Sequence, residues 1–234
     1  MLLLQFSTSH YCRKARLALG YKQISYQVEN LTPALHILRI KSLCDSTTVP
    51  VLLPQQKNCP AVVSDSTDII QFLETYQPSS PLCFADPQQQ QEALRLEDYF
   101  DEIGIASRVV YSQFRATEGK QIDPSWMSLL VINMIRLKYG INTKSANVAA
   151  QKIADAIALL GEFWHDGYLI GDRFSVADLT AAALLSPLGL IPKYRRDYPW
   201  LFEKIAEIHQ LCNEPLPKNW DAWYNLTYDL SGNR

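Results

Sequence analysis

The sequence is short of the features that mark several conspicuous classes of function. Among its 234 residues are four histidines and five cysteines. His36, His165 and His209 stand alone, and Cys12, Cys44, Cys59, Cys83 and Cys212 are scattered without the paired spacing of a zinc site. No metal is therefore expected. An odd number of unpaired cysteines also closes no disulfide framework, which points to a reducing compartment and a cytoplasmic location. An excess of one charge is missing too. With 22 basic against 24 acidic side chains, the formal net charge is -2, so there is no broad basic footprint for nucleic acid or an anionic membrane surface. The run Lys193-Tyr194-Arg195-Arg196 reads as a solvated corner. No apolar stretch approaches the roughly 20 residues that span a bilayer. The opening Met1-Leu2-Leu3-Leu4 breaks at Gln5 without a basic lead or a small-residue cleavage site, and reads as a strand rather than a signal peptide. No internal repeat is present.

What is there is the material of an ordinary globular chain. Hydrophobic residues make up 47% and charged residues 20%, enough apolar content to fold unaided, and the length suits two packed units. Leu2 to Phe6 forms a short apolar run, followed by a Ser7-Thr8-Ser9 stop and a helical stretch from Arg13 to Leu19. Ile24-Ser25-Tyr26-Gln27-Val28 alternates like a strand, and Pro33 to Ile40 has helical periodicity. Val49 to Leu53 and Ala61 to Val63 read as an antiparallel hairpin, and Thr67 to Tyr76 as a helix with Ser66 available as its cap. The order is thus βαβ, α, ββα over residues 1–76. Residues 77–87 carry three prolines and two serines, a stiff and interrupted linker.

Beyond the linker, residues 88–234 read as an all-helical unit, with helices near 88–115, 125–140, 145–165, 176–186 and 199–212. Ile153, Ile157, Leu160 and Trp164 recur at helical steps and predict one buried stripe. Ser175-Val176-Ala177-Asp178 is a capping-box signal. Trp220, Trp223, Tyr224 and Tyr228 are read as packing, with a cover over a cleft as the alternative.

The chemistry concentrates at Ser9-His10-Tyr11-Cys12-Arg13. A helix start gathers unpaired N–H groups and positive dipole, which suits it to hold an anionic thiolate, and a hydroxyl such as that of Ser9 can donate to a sulfur anion without bonding to it covalently. Ser9 serves equally as a plain helix cap, Cys12 as an inert core thiol, and Tyr11 and Arg13 as surface or interface residues.

The segment resembles the S-x-x-C-R active-site motif of serine-type glutathione transferases and the C-P-Y-C motif of glutaredoxins, with His10 in place of the usual proline. Thr48-Val49-Pro50 is similar to the family's cis-proline turn, Asp65-Ser66 to its acid-serine pair, and Gly171 to Asp178 to its G-D-x-x-S-x-A-D folding cap. On these residues the chain is identified as a member of the cytosolic glutathione S-transferase superfamily. The resemblance covers roughly residues 1–76 and 88–212 and is weak between Arg115 and Ser145.

It implies a thioredoxin-like α+β N-terminal unit followed by an all-α unit. Glutathione would be the co-substrate, with no other cofactor, and a small electrophile the second substrate. Ser9, Tyr11, Cys12 and Arg13 are the implied catalytic candidates; Ser9, His10, Val49, Pro50, Asp65 and Ser66 would contact glutathione. It also implies a homodimer and a role in detoxification. Two alternatives stay open at this point. One is a glutathione-dependent thiol-disulfide oxidoreductase or peroxidase working through Cys12, and the other a non-catalytic glutathione-binding or scaffold protein.

Overall fold

Three leucines in succession and a run of short apolar residues build the sheet. In a computed structural model, which describes residues 1–165 and 167–220, β1 (Leu2–Gln5) pairs in parallel with β2 (Gln27–Asn30) and antiparallel with β3 (Val51–Leu53), which pairs antiparallel with β4 (Val63–Ser64). The strand order is β2-β1-β3-β4. Because side chains alternate across a strand, the paired Leu3 and Leu52 enter one core and the paired Leu4 and Val51 the other. The helices α1 (His10–Tyr21) and α3 (Ser66–Tyr76) pack in the Leu3 core, while the short α2 (His36–Lys41) brings Ile40 to the Leu4 face. This is the thioredoxin-like arrangement expected.

The boundaries differ from expectation for local reasons. Strand β2 starts three residues late because Gln23 and Ile24 are still tied to the end of α1, donating to the Gly20 and Leu19 carbonyls; Ile24 and Tyr26 pack against the core from this connection rather than from a ladder. Helix α2 also starts three residues late, after Ala34 adopts a φ of 70°, outside the helical region. The cap of α3 is Asp65, whose carboxylate accepts from Thr67 N at 2.9 Å; Ser66 is the first residue of the helix and not its cap.

After α3 every regular element among the described residues is helical. Helix α4 (Pro87–Thr117), begun by Pro87 and capped by Asp86, is 31 residues long. It packs against α6 (Thr143–Phe163) and α7 (Val176–Leu185), and α5 (Trp126–Lys138) leans on it with Ile132 as its one buried residue. Helices α8 (Pro192–Asp197) and α9 (Pro199–Leu211) follow. The predicted stripe Ile153, Ile157, Leu160 and Trp164 is buried, and the predicted capping box is formed by Ser175 and Asp178. No residue of α8 is buried, as a solvated corner requires. Trp220 is buried against Phe202, while Trp223, Tyr224 and Tyr228 lie outside the described residues. Among the described residues no helix is long and apolar enough to cross a membrane.

The apolar core runs without a break from Leu3 through α1 and α3 into α4, α6, α7 and α9. Helix α1 lies against α7 as well as α3, so the N-terminal end of α1 sits where the sheet half and the helical half meet.

Candidate active site

Ser9 is the N-cap of α1, with extended backbone and its Oγ accepting from Cys12 N at 3.3 Å. That bond uses a lone pair of Oγ, so its O–H is left to donate outward from a half-buried position. The amides of His10 and Tyr11 are first-turn donors with no intrahelical acceptor. The Val49-Pro50 peptide before β3 is cis, as the resemblance implies. Asp65 N donates to Pro50 O at 3.2 Å, which ties the start of α3 to this turn. Asp65 is exposed and holds a φ of 83°, a conformation unusual for a residue with a side chain, whereas Ser66 is buried.

The other candidates face inward. Cys12 is fully buried and burial pushes its thiol up, against smaller opposing effects from Ser9 and the Phe6 backbone. Tyr11 donates its phenolic hydrogen to the Asp101 carbonyl in α4 at 2.7 Å, and burial first of all pushes its pKa up to about 12. Arg13 is buried at the junction and donates to Ser186 Oγ at 2.8 Å. Burial, then Arg16, lowers its pKa to about 10. His10 is buried beside Tyr11, with ring centroids 4.7 Å apart; burial, then the Arg108 and Arg13 charges, push it down to about 3, so the imidazole is neutral. Among these candidates, Ser9 is half-buried and its hydroxyl makes only the local cap bond, as acceptor. Among the described residues, no group of His, Cys, Asp or Glu is placed to hold a metal ion.

Residues 3–81 match the family model described as Glutathione S-transferase, N-terminal domain. The whole fold aligns with a glutathione S-transferase from Rhodospirillum rubrum at 19% identity, TM-score 0.67, covering 94% of this chain and 90% of that one. A glutathione S-transferase from Methylobacterium radiotolerans, in complex with glutathione sulfonate, aligns at 25% identity, TM-score 0.63, covering 89% of each chain. Residues 3–81 thus carry the sequence signature of a glutathione S-transferase N-terminal domain, and the whole chain has the fold of these solved structures. The fold is also similar to that of a beta-etherase from Sphingobium, at 22% identity, TM-score 0.68, covering 94% of this chain and 97% of that one. No curated protein matches the sequence.

Where α1 meets α4, charged groups come together that the sequence does not single out. Lys14 Nζ, fully buried, lies 2.5 Å from Glu97 Oε1 and 2.9 Å from both Asp101 oxygens, and Thr67 Oγ1 donates to Glu97 Oε1 at 2.6 Å. Burial raises the Asp101 carboxyl, while Lys14 opposes the shift. Glu97 and Asp101 lie one helical turn apart on α4, a like-charged spacing that the Lys14 ammonium between them offsets. The Arg108 guanidinium lies over the Tyr11 ring at 5.3 Å and over the Tyr139 ring at 5.0 Å. No sequence signal marks it, because the two rings come from distant segments.

Proposed function

We propose that the chain binds reduced glutathione at the start of α1, holds its sulfur as a thiolate near Ser9, and directs it at a small electrophile held by the helical half. What supports this reading is the Ser9 cap of α1 together with the cis Val49-Pro50 turn, whose Pro50 carbonyl accepts from Asp65 N at the start of α3, and the Asp65 charge felt at Tyr11. In this reading the peptide would pair along Val49, its γ-glutamyl end would meet Asp65 and Ser66, and Pro50 would shape the turn. The sulfur would lie over the Ser9 hydroxyl and the first-turn amides of α1. The gain comes from proximity and from fixed donors aimed at the anion. In a substitution on an aryl halide the C–S bond forms, the C–X bond breaks with departure of halide, and the thiol proton passes to solvent.

Ser9 is the catalytic candidate this reading keeps. Tyr11, Arg13 and His10 become positioning residues, since their polar groups are directed into the junction. A redox role for Cys12 is disfavoured by burial, which withholds both access and the thiolate that exchange requires. Residues 1–76 are proposed as the glutathione-binding unit, 77–87 as linker and 88–234 as the unit holding the electrophile, in a homodimeric cytoplasmic enzyme of detoxification. Calorimetric titration with glutathione and a conjugation assay with 1-chloro-2,4-dinitrobenzene test the reading. Binding is expected in wild type and in Ser9→Ala, with the variant losing about 100-fold in kcat, the scale set by removing one anion-stabilising donor. Binding without conjugation of any electrophile favours the scaffold alternative, and absence of binding overturns both.

A further inference from the structure

Every other buried or half-buried cation around the cleft has its partners within the chain. Lys14 has Glu97 and Asp101, Arg16 has Glu214, and Arg13 has Ser186. Arg108 differs. Its guanidinium carbon lies 5.3 Å from the ring centroid of Tyr11 and 5.0 Å from that of Tyr139, yet among the described residues no carboxylate pairs with it and no acceptor takes a hydrogen bond from it. Aromatic rings beside a guanidinium accept no strong hydrogen bond, so its N–H groups stay free to grip a carboxylate in two places.

The two rings fix its location. Tyr11 is anchored by its bond to Asp101 O, two residues after Ser9. Tyr139 follows the end of α5 and is half exposed. Lys138 Nζ lies 5.3 Å from the same Tyr139 ring and its charge is felt at His36 on α2, so this wall of the cleft carries two cations. The negative groups, Asp65 and Asp101, are near enough to be felt at Tyr11, but Asp101 is already paired with Lys14.

We infer that Arg108 determines the class of second substrate: it receives a carboxylate carried by the electrophile, which makes the chain selective for carboxylate-bearing electrophiles over neutral ones of the same shape. The inference rests on the glutathione reading above. The carboxylate at Arg108 has one other source, glutathione itself, and the test separates the two.

Titration calorimetry of the full chain would compare glutathione with its conjugates from 1-chloro-2,6-dinitrobenzene and from the 4-carboxylate of the same halide, a pair differing by one anionic group. Wild type is expected to bind the carboxylated conjugate about tenfold or more tightly than the neutral one, with the margin shrinking as salt rises. Arg108→Met is expected to remove that margin, and Arg108→Lys to keep part of it by retaining the charge without the fork. Melting curves establish that both variants fold. Equal affinity of wild type for the two conjugates, or an unchanged margin in Arg108→Met, overturns the inference while leaving glutathione binding intact. A loss of affinity for glutathione as large as the loss for the carboxylated conjugate also overturns it, by assigning Arg108 to glutathione's own carboxylate. If neither glutathione nor either conjugate binds, the underlying reading falls and this one with it.

Discussion

His10 and His209 are buried imidazoles that both feel the Arg13 charge. Burial first, then neighbouring guanidinium charge, push His10 down to about 3 and His209 to about 4, against an ordinary value of 6.5. The native protein therefore keeps both neutral at pH values where the unfolded chain protonates them. A histidine whose folded pKa is depressed contributes its full stability above about pH 6.5 and loses it as pH falls, because the unfolded state then binds the extra proton. Each contributes a slope of about 1.4 kcal/mol per pH unit once below that value. The raised carboxyls of Asp101 and Asp178 work in the opposite sense, so the fall in stability below pH 6.5 is the signature of the histidines. Urea unfolding at pH 7, 6 and 5 should show stability falling by 2 to 3 kcal/mol per unit below pH 6.5, a figure of about two histidine slopes. His209→Asn retains a donor toward the Glu214 and Pro215 carbonyls that Nδ1 approaches at 3.2 Å, and should roughly halve the slope. An unchanged slope in that variant would assign the proton to another group.

At the scale of an element, α7 is the helix on which the helical half is built, since all ten of its residues are buried. Its first turn is held by one carboxylate. Asp178 Oδ1 accepts from Trp164 Nε1 and Leu169 N, each at 2.9 Å, and Oδ2 from Ser175 N at 3.1 Å and Ser175 Oγ at 2.9 Å. The group thus joins the end of α6, the following connection and the cap of α7. Asp178→Ala strands three buried donors and the Ser175 hydroxyl, and an unsatisfied buried donor costs about 1–3 kcal/mol, so a loss of 3 kcal/mol or more, at about 1 kcal/mol per donor, is expected in denaturant unfolding, with Asp178→Asn losing less. A loss below that of an ordinary cap, about 1 kcal/mol, would count against it. This box was readable from Ser175-Val176-Ala177-Asp178 because both partners lie within one turn. The strands and most helices were readable for the same reason, their periodicity being local. The starts of β2 and α2 were not, as they depend on hydrogen bonds back to α1 and on the backbone of Ala34.

Over the whole molecule, the same distinction separates the legible part of the site from the rest. Ser9, Pro50 and Asp65 owe their geometry to a helix cap, a turn and a strand end, all short-range features with sequence signatures. Lys14, Glu97, Asp101 and Arg108 acquire meaning only when α1 meets α4, some 80 residues further along. That junction is extensive. Three consecutive-face cations of α1 find their partners in the helical half: Arg13 at Ser186, Lys14 at Glu97 and Asp101, Arg16 at Glu214. Further along α1 the backbone of Gly20 approaches that of Cys212 so closely that an added Cβ would lie 1.9 Å from its carbonyl oxygen. A sheet half cut free would expose a helix whose buried face carries three cations and would lose the apolar neighbours of the continuous core.

The two halves are therefore expected to unfold as one unit despite their different architecture. Calorimetry should give a single transition with equal calorimetric and van't Hoff enthalpies, and residues 1–81 alone should show no cooperative melt. Lys14→Met provides the sharper version. It leaves Glu97 buried without its cation, a change that costs about 3–5 kcal/mol, and the loss should move the whole transition without splitting off a sheet component. Adding Glu97→Leu removes the stranded charge and should recover much of that loss, because a buried ion pair replaced by apolar side chains is often close to neutral. Two resolved transitions in wild type, or a Lys14→Met effect confined to one of them, would mean that the junction serves the cleft without uniting the fold.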